Sequence, residues 1–204
     1  MSDELRKPIE DELRKRIESE LSAVQRQVEL ASAPGTGAAH AKEILRSAHM
    51  EQRREVLKAA HKFIVKNEDR LLSHFANGDE IDPAAIDPQV VLVEEGESAD
   101  LFRFASLRWS VPVSAGYGRR TRFLIKDRQN SKVIGIFALG DPVIGLGPRD
   151  QAIGWNVEQR HKRLYSTYDA YVLGAVEPYR QLLGGKVAAL AVLSNDVAFH
   201  LVRK

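Results

Sequence analysis

Apolar positions near the start of the chain recur at helical intervals. Ile9, Leu13, Ile17, Leu21 and Val24 fall at i, i+4, i+8, i+12 and i+15 within residues 3–31, a stretch rich in Glu, Leu, Arg and Ala with one early proline, Pro8. The spacing predicts an amphipathic helix with a single narrow apolar stripe, which either docks on the domain or pairs with itself as a short coiled coil. Ala33-Pro34-Gly35-Thr36-Gly37 then reads as a linker or sharp turn. A second helical region is expected from about Ala41 to Phe75, where Leu57, Ala60, Ile64, Leu71 and Phe75 keep mostly helical spacing and Asn77-Gly78 supplies a stop.

Beyond Asp82-Pro83 and Asp87-Pro88 the pattern shortens to β-type runs. Strands are expected at residues 90–93, 122–126 and 132–139, the last two joined by the polar turn Asp127-Arg128-Gln129-Asn130-Ser131 as a hairpin. A fourth is expected at residues 170–176, followed after Pro178 by a helix from about Leu182 to Val197 that is apolar on nearly every side. A helix of that kind should be buried against a sheet. The segmentation is an N-terminal helix and linker (1–38), a helical region (39–86) and an α+β domain (87–204). Function is expected between Leu101 and Ser194.

Composition narrows the classes. The 204 residues are 44% hydrophobic and 28% charged, ordinary for a soluble globular protein. With no cysteine, disulfides, thiolate metal sites and a thiol nucleophile are excluded. The first residues lack the apolar run of a signal peptide and no stretch is long enough to span a bilayer, so a cytoplasmic protein without membrane association is expected. His49, His61 and His74 have no metal-ligand spacing and read as surface histidines, and no metal site is expected. The charge distribution adds more. Residues 1–30 hold eight acids against six bases, a net of −2, whereas residues 103–133 hold eight bases against Asp127 alone, a net of +7. Such an excess attracts phosphate-bearing partners, unless it is a solvated strand face.

Three constellations carry candidate chemistry. The first runs from Trp109 to Arg120. Its glycines flank Tyr117 and are followed by Arg119 and Arg120, so the loop can approach a phosphate closely, the guanidinium groups can bind it, and Tyr117 can stack on a base. The alternative is a glycine turn leading into a strand, its arginines paired with local acids. The second is Gly140-Asp141-Pro142 with Arg149-Asp150, placing Asp141 and Asp150 just beyond a strand end as candidate catalytic acids or bases. No histidine partners either, so a triad cannot be assembled, and plain turn chemistry with an Arg149–Asp150 ion pair explains the same residues. The third is Gln181-Leu182-Leu183-Gly184-Gly185-Lys186 at a strand-to-helix junction, where exposed N–H groups can hold an anion. Val187 replaces the Ser or Thr of a phosphate-binding NTPase loop and Arg180 its leading glycine, which excludes that class. The segment is more similar to the pyrophosphate loop of GNAT-class acetyltransferases. Gln181 and Gly184 match it, Gly185 and Lys186 follow, and Lys186 departs at the last position. The alternative is a tight helix–sheet contact that needs glycine.

Taken in order, Phe75-Ala76-Asn77-Gly78, Glu80-Ile81-Asp82-Pro83, Leu101-Phe102-Arg103, Trp109-Ser110-Val111-Pro112-Val113-Ser114 and Gly116-Tyr117-Gly118-Arg119-Arg120 resemble the DruA-like proteins of Druantia anti-phage defence systems. So do Ala138-Leu139-Gly140-Asp141-Pro142-Val143, Arg149-Asp150, Ile153-Gly154-Trp155, Tyr168-Asp169-Ala170-Tyr171-Val172 and Leu182-Leu183-Gly184-Gly185-Lys186. The likeness covers roughly residues 41–204. It implies a bacterial defence setting with other defence proteins as partners, in a family whose reaction is not defined. Members typically continue past the last helix with a further strand, a Gly-Arg-Ser-Ser-type motif and a C-terminal region, so a chain ending at Lys204 is expected to be incomplete there. An α+β fold follows, with a helical N-terminal region and a mixed sheet in GNAT-like order. A sheet edge would lack its partner and the apolar helix its cover, so poor solubility or obligate association is expected.

Three functions are consistent with these residues. One is a defence component that binds nucleic acid through Arg119, Arg120 and Tyr117. Another is an acyl-CoA-dependent acyltransferase acting on a base or a protein amine, with Asp141 or Asp150 as base and Gln181, Gly184, Gly185 and Lys186 at the cofactor. The third is a truncated, inactive remnant. Self-association through the N-terminal helix is compatible with each.

Overall fold

The computed structural model describes residues 3–35, 37–109, 113 and 118–202. They form two compact units, one reaching to Ala59 and the other containing the described residues from Ala60 onward. In the first unit, helix α1 (Asp3–Ser32) packs on α2 (Ala38–Ala59). The apolar stripe of α1 remains open to water even so: Leu13, Ile17, Leu21 and Val24 are all exposed.

The second unit is a four-stranded sheet covered on both faces. Its elements are α3 (His61–Leu72), β1 (Pro88–Leu92), α4 (Glu97–Ser106), β2 (Arg120–Asp127), β3 (Val133–Gly140), α5 (Gly147–Ile153), α6 (Val157–Arg163), β4 (Asp169–Ala175), α7 (Gly184–Ala191) and α8 (Asn195–Val202). The strands lie in the order β1-β2-β3-β4 and every pairing is antiparallel. The α+β class is therefore as expected, while the mixed sheet is corrected to an antiparallel meander. The short turn between β2 and β3 and the long helical connections before β2 and before β4 alike return the chain to the neighbouring position running the opposite way.

Every residue of β3 is buried. A strand covered on both faces needs no polar alternation, which is why Val133-Ile134-Gly135-Ile136-Phe137-Ala138-Leu139 reads as one apolar run. Alternate side chains divide into two cores. On one face Leu124, Ile136, Ala138 and Val172 meet Leu101, Phe102 and Ala105 of α4 and Leu71 of α3. On the other, Phe123, Ile125, Ile134 and Phe137 meet Ala188 of α7, Val197 of α8 and Tyr179. Phe123 and Phe137 stack with centroids 4.7 Å apart, and burying each ring stabilises the fold by about 2 kcal/mol.

Two helical expectations change. The region from Ala41 to Phe75 divides at Ala60 into α2 and α3. The apolar helix expected from Leu182 to Val197 becomes a 3-10 turn (Tyr179–Leu182), a left-handed residue at Leu183 (φ 63°), α7 and α8. Ala188 and Val197 face the sheet, but Leu183, Leu190, Leu193 and Phe199 are exposed. One sheet face can cover only one side of a helix, so a segment apolar all round retains an uncovered side. Among the described residues, no helix is long and apolar enough to cross a membrane.

Candidate functional site

The hairpin β2–β3 has a closed end at its turn and an open end at Arg119, Arg120 and Asp141. At the open end Asp141 follows the last residue of β3, and both its oxygens are engaged. The Arg119 backbone N–H donates to Oδ2 at 2.8 Å and the Arg119 Nε to Oδ1 at 2.6 Å. That backbone bond, joined by the guanidinium, holds the Asp141 carboxyl below its ordinary range. Gly118, with φ of 80°, makes the turn possible; a Cβ there would meet the Asp141 carboxylate.

Arg119 is held from further sides. Its guanidinium carbon lies 4.4 Å from the Tyr165 ring centroid and 4.5 Å from that of Tyr168, and Nη1 donates to the Tyr168 hydroxyl at 3.0 Å. Arg120 is placed differently. Strand alternation and the ring partners put the two arginines on opposite faces: Tyr168 packs with the Phe123 core and Tyr171 with the Leu124 core. Arg120 stacks on Tyr171 at 3.9 Å. Its Nε and Nη1 lie out of water with no hydrogen-bond partner among the described residues. A buried cationic donor left unsatisfied costs roughly 1–3 kcal/mol or more.

β1 stops at Leu92, opposite Phe123, so β2 runs on past its neighbour and leaves a notch of about 300 Å³. Arg120, Thr121 and Arg122 form one wall; Leu92, Val93, Ala99 and the exposed Glu94 and Glu95 form the other. Three of the remaining five bases of the segment have side-chain partners elsewhere. Arg128 pairs with Asp87, Lys132 with Glu80, and Arg103 stacks on Phe63 at 4.0 Å. With Arg119 on Asp141, three of the segment's eight bases are paired with acids outside it, and Arg120 and Arg122 stand out because they line the notch.

The other expected site residues lie apart. Asp150, in α5, is buried and accepts from Arg149 Nε at 3.0 Å, Arg149 Nη2 at 2.7 Å and Arg160 Nη1 at 3.1 Å. Arg149 first, then Arg160, hold its carboxyl low. Arg149 also donates to the carbonyls of Val143 and Ile144, so this cluster braces the loop after β3. Its bonds do not reach Asp141 or Arg119. Gly184 opens α7, where a Cβ would stand 2.5 Å from the Tyr179 carbonyl oxygen and 2.9 Å from the Ala175 Cβ, a packing reason for glycine. Gly185 has open space, Lys186 is exposed, and Gln181 Nε2 donates to Glu177 at 3.3 Å. Tyr117 lies outside the described residues.

Sequence reading missed the aromatic half of the open end. Tyr165, Tyr168 and Tyr171 are three of the chain's five tyrosines within seven residues, a density that was the available signal. Their partners lie more than forty positions earlier, beyond the reach of any spacing rule.

A family model described as Druantia protein DruA matches residues 39–203. The chain is similar to the Druantia protein DruA of Escherichia coli (strain UMEA 4076-1), 46% identical over 166 residues that take in 81% of this chain and 40% of that relative. It therefore spans less than half the length of that curated relative. No solved structure matches.

Proposed function

Since the chain belongs to the DruA family, we propose that it is a component of a bacterial Druantia-type anti-phage defence system that binds nucleic acid in the cytoplasm, beside other proteins of the system. Arg120 supports this reading most directly. Its guanidinium is fixed on Tyr171 with two buried N–H groups that have no partner among the described residues, beside a notch that Arg122 also lines. A phosphate oxygen supplies the acceptors the fold leaves out. Arg119 contributes a second cation on the other face, and Asp141 acts through it by fixing its position. A salt-dependent shift assay with DNA and RNA tests the reading. Arg119→Ala/Arg120→Ala should abolish binding; unchanged binding contradicts it.

The acyl-CoA reading draws less support. Gly184 has a packing reason, and Asp141 and Asp150 are held below the range a general base needs near neutral pH. Calorimetry with acetyl-CoA tests it, and heat of binding would restore it. Self-association rests on the exposed stripe of α1, whose Leu13, Ile17, Leu21 and Val24 suit a helix partner of the same chain. Sedimentation of Leu13→Glu/Leu21→Glu against the unaltered protein reads it: a monomer only in the variant supports it, and equal sizes dismiss it.

A further inference from the structure

We infer that the nucleic acid taken at the open end of the hairpin is single-stranded, and that Tyr165 is the platform on which one of its bases stacks. The inference rests on the nucleic-acid reading above and concerns which form is bound.

Tyr165 lies in the 3-10 turn Leu164–Ser166 and is 75% exposed, which leaves most of its ring in water. Tyr165 is held, because the Arg119 guanidinium lies 4.4 Å from its centroid, and that guanidinium is itself fixed by Asp141 and by the Tyr168 hydroxyl. The chain Asp141–Arg119–Tyr165 thus presents a positioned cation with an aromatic ring against it. A duplex keeps its bases stacked on one another and offers phosphates but no free base face. A single strand offers both, and sequence-tolerant recognition of single strands joins a basic track to aromatic platforms. Arg120, with its unpaired N–H groups on the opposite face of the sheet, adds the backbone contact without competing for the same phosphate.

The experiment is fluorescence anisotropy on the full chain, using a labelled mixed-sequence oligonucleotide as a single strand and as a duplex. The unaltered protein, Tyr165→Ala and Tyr165→Phe are compared, with circular dichroism to show that each variant is folded. The expected result is tighter binding of the single strand. Tyr165→Ala should lose about tenfold or more of that affinity, Tyr165→Phe should retain it, and duplex binding should be the same in all three. Equal affinity for the two forms, or a Tyr165→Ala variant that binds the single strand unchanged, overturns the inference and leaves the nucleic-acid reading intact. Failure of the unaltered protein to bind either form overturns both.

Discussion

The two ends of the β2–β3 hairpin make opposite use of polar residues. At the closed end Asp127 is completely buried, yet both its oxygens are filled. The Asp87 N–H donates at 3.0 Å, the Gln129 N–H at 3.2 Å, the Gln129 side chain at 2.7 Å and the Tyr179 hydroxyl at 2.8 Å. Burial alone would raise the Asp127 carboxyl, but those bonds hold it below its ordinary value, and burial with Asp127 beside it pushes the Tyr179 hydroxyl up to about 12. At the open end Arg120 is stacked and partly buried with donors to spare. A polar group whose bonds are all made within the fold supports structure, and a buried donor without a partner needs an explanation of its own, which for Arg120 is the proposed phosphate.

The contrast is tested first where the effect is largest. Asp127→Ala strips four donors of their acceptor at a site closed to solvent, and should cost about 3 kcal/mol in urea unfolding. A loss under about 1 kcal/mol would show that the closed end is not the support claimed for it. The same contacts predict an acid limb. Asp127, Asp141 and Asp150 all have folded-state values below their unfolded ones. Their contribution is therefore present above about pH 4 and is lost as pH falls through the folded values. Thermal midpoints should hold between neutral pH and about pH 5 and then drop. In Asp127→Asn the drop should be shallower.

Gly184→Ala comes next. Its Cβ would strike the Tyr179 carbonyl, which belongs to the backbone and cannot move aside cheaply. A loss of about 2 kcal/mol without any ligand present is expected from overpacking. No loss would return Gly184 to the list of anion-loop candidates.

These cases show what the sequence made legible. The four strands were readable because Val90-Val91-Leu92, the Phe123-Leu124-Ile125 run and the all-apolar β3 carry β-type residues between polar turns. Helices α4, α5 and α6 were not, since each is short and lies among loop residues where no period can establish itself. At the candidate site, Arg119, Arg120 and Asp141 are singled out by local clustering, and the fold brings Arg119 and Asp141 into contact. Adjacent arginines looked like a fork on one anion, but strand alternation sends them to different faces. Gly184 looked like a cofactor loop because glycine is visible in a sequence while the carbonyl pressing on it is not. The tyrosines escaped notice because their partners are distant in the chain.

The smallest stability effect belongs to Arg120→Ala. Removing a cation whose buried donors are unpaired should leave the unfolding free energy within about 1 kcal/mol of the parent, or raise it. A large loss would make Arg120 structural, and the two ends would then be alike.

The most direct test of the central claim, that Arg120 completes its bonds on a phosphate, is the salt dependence of single-stranded oligonucleotide affinity for the parent and for Arg120→Ala. Loss of one phosphate contact should weaken binding and make the slope of log affinity against log salt shallower by about 0.7. Identical slopes and affinities for the two proteins would contradict it.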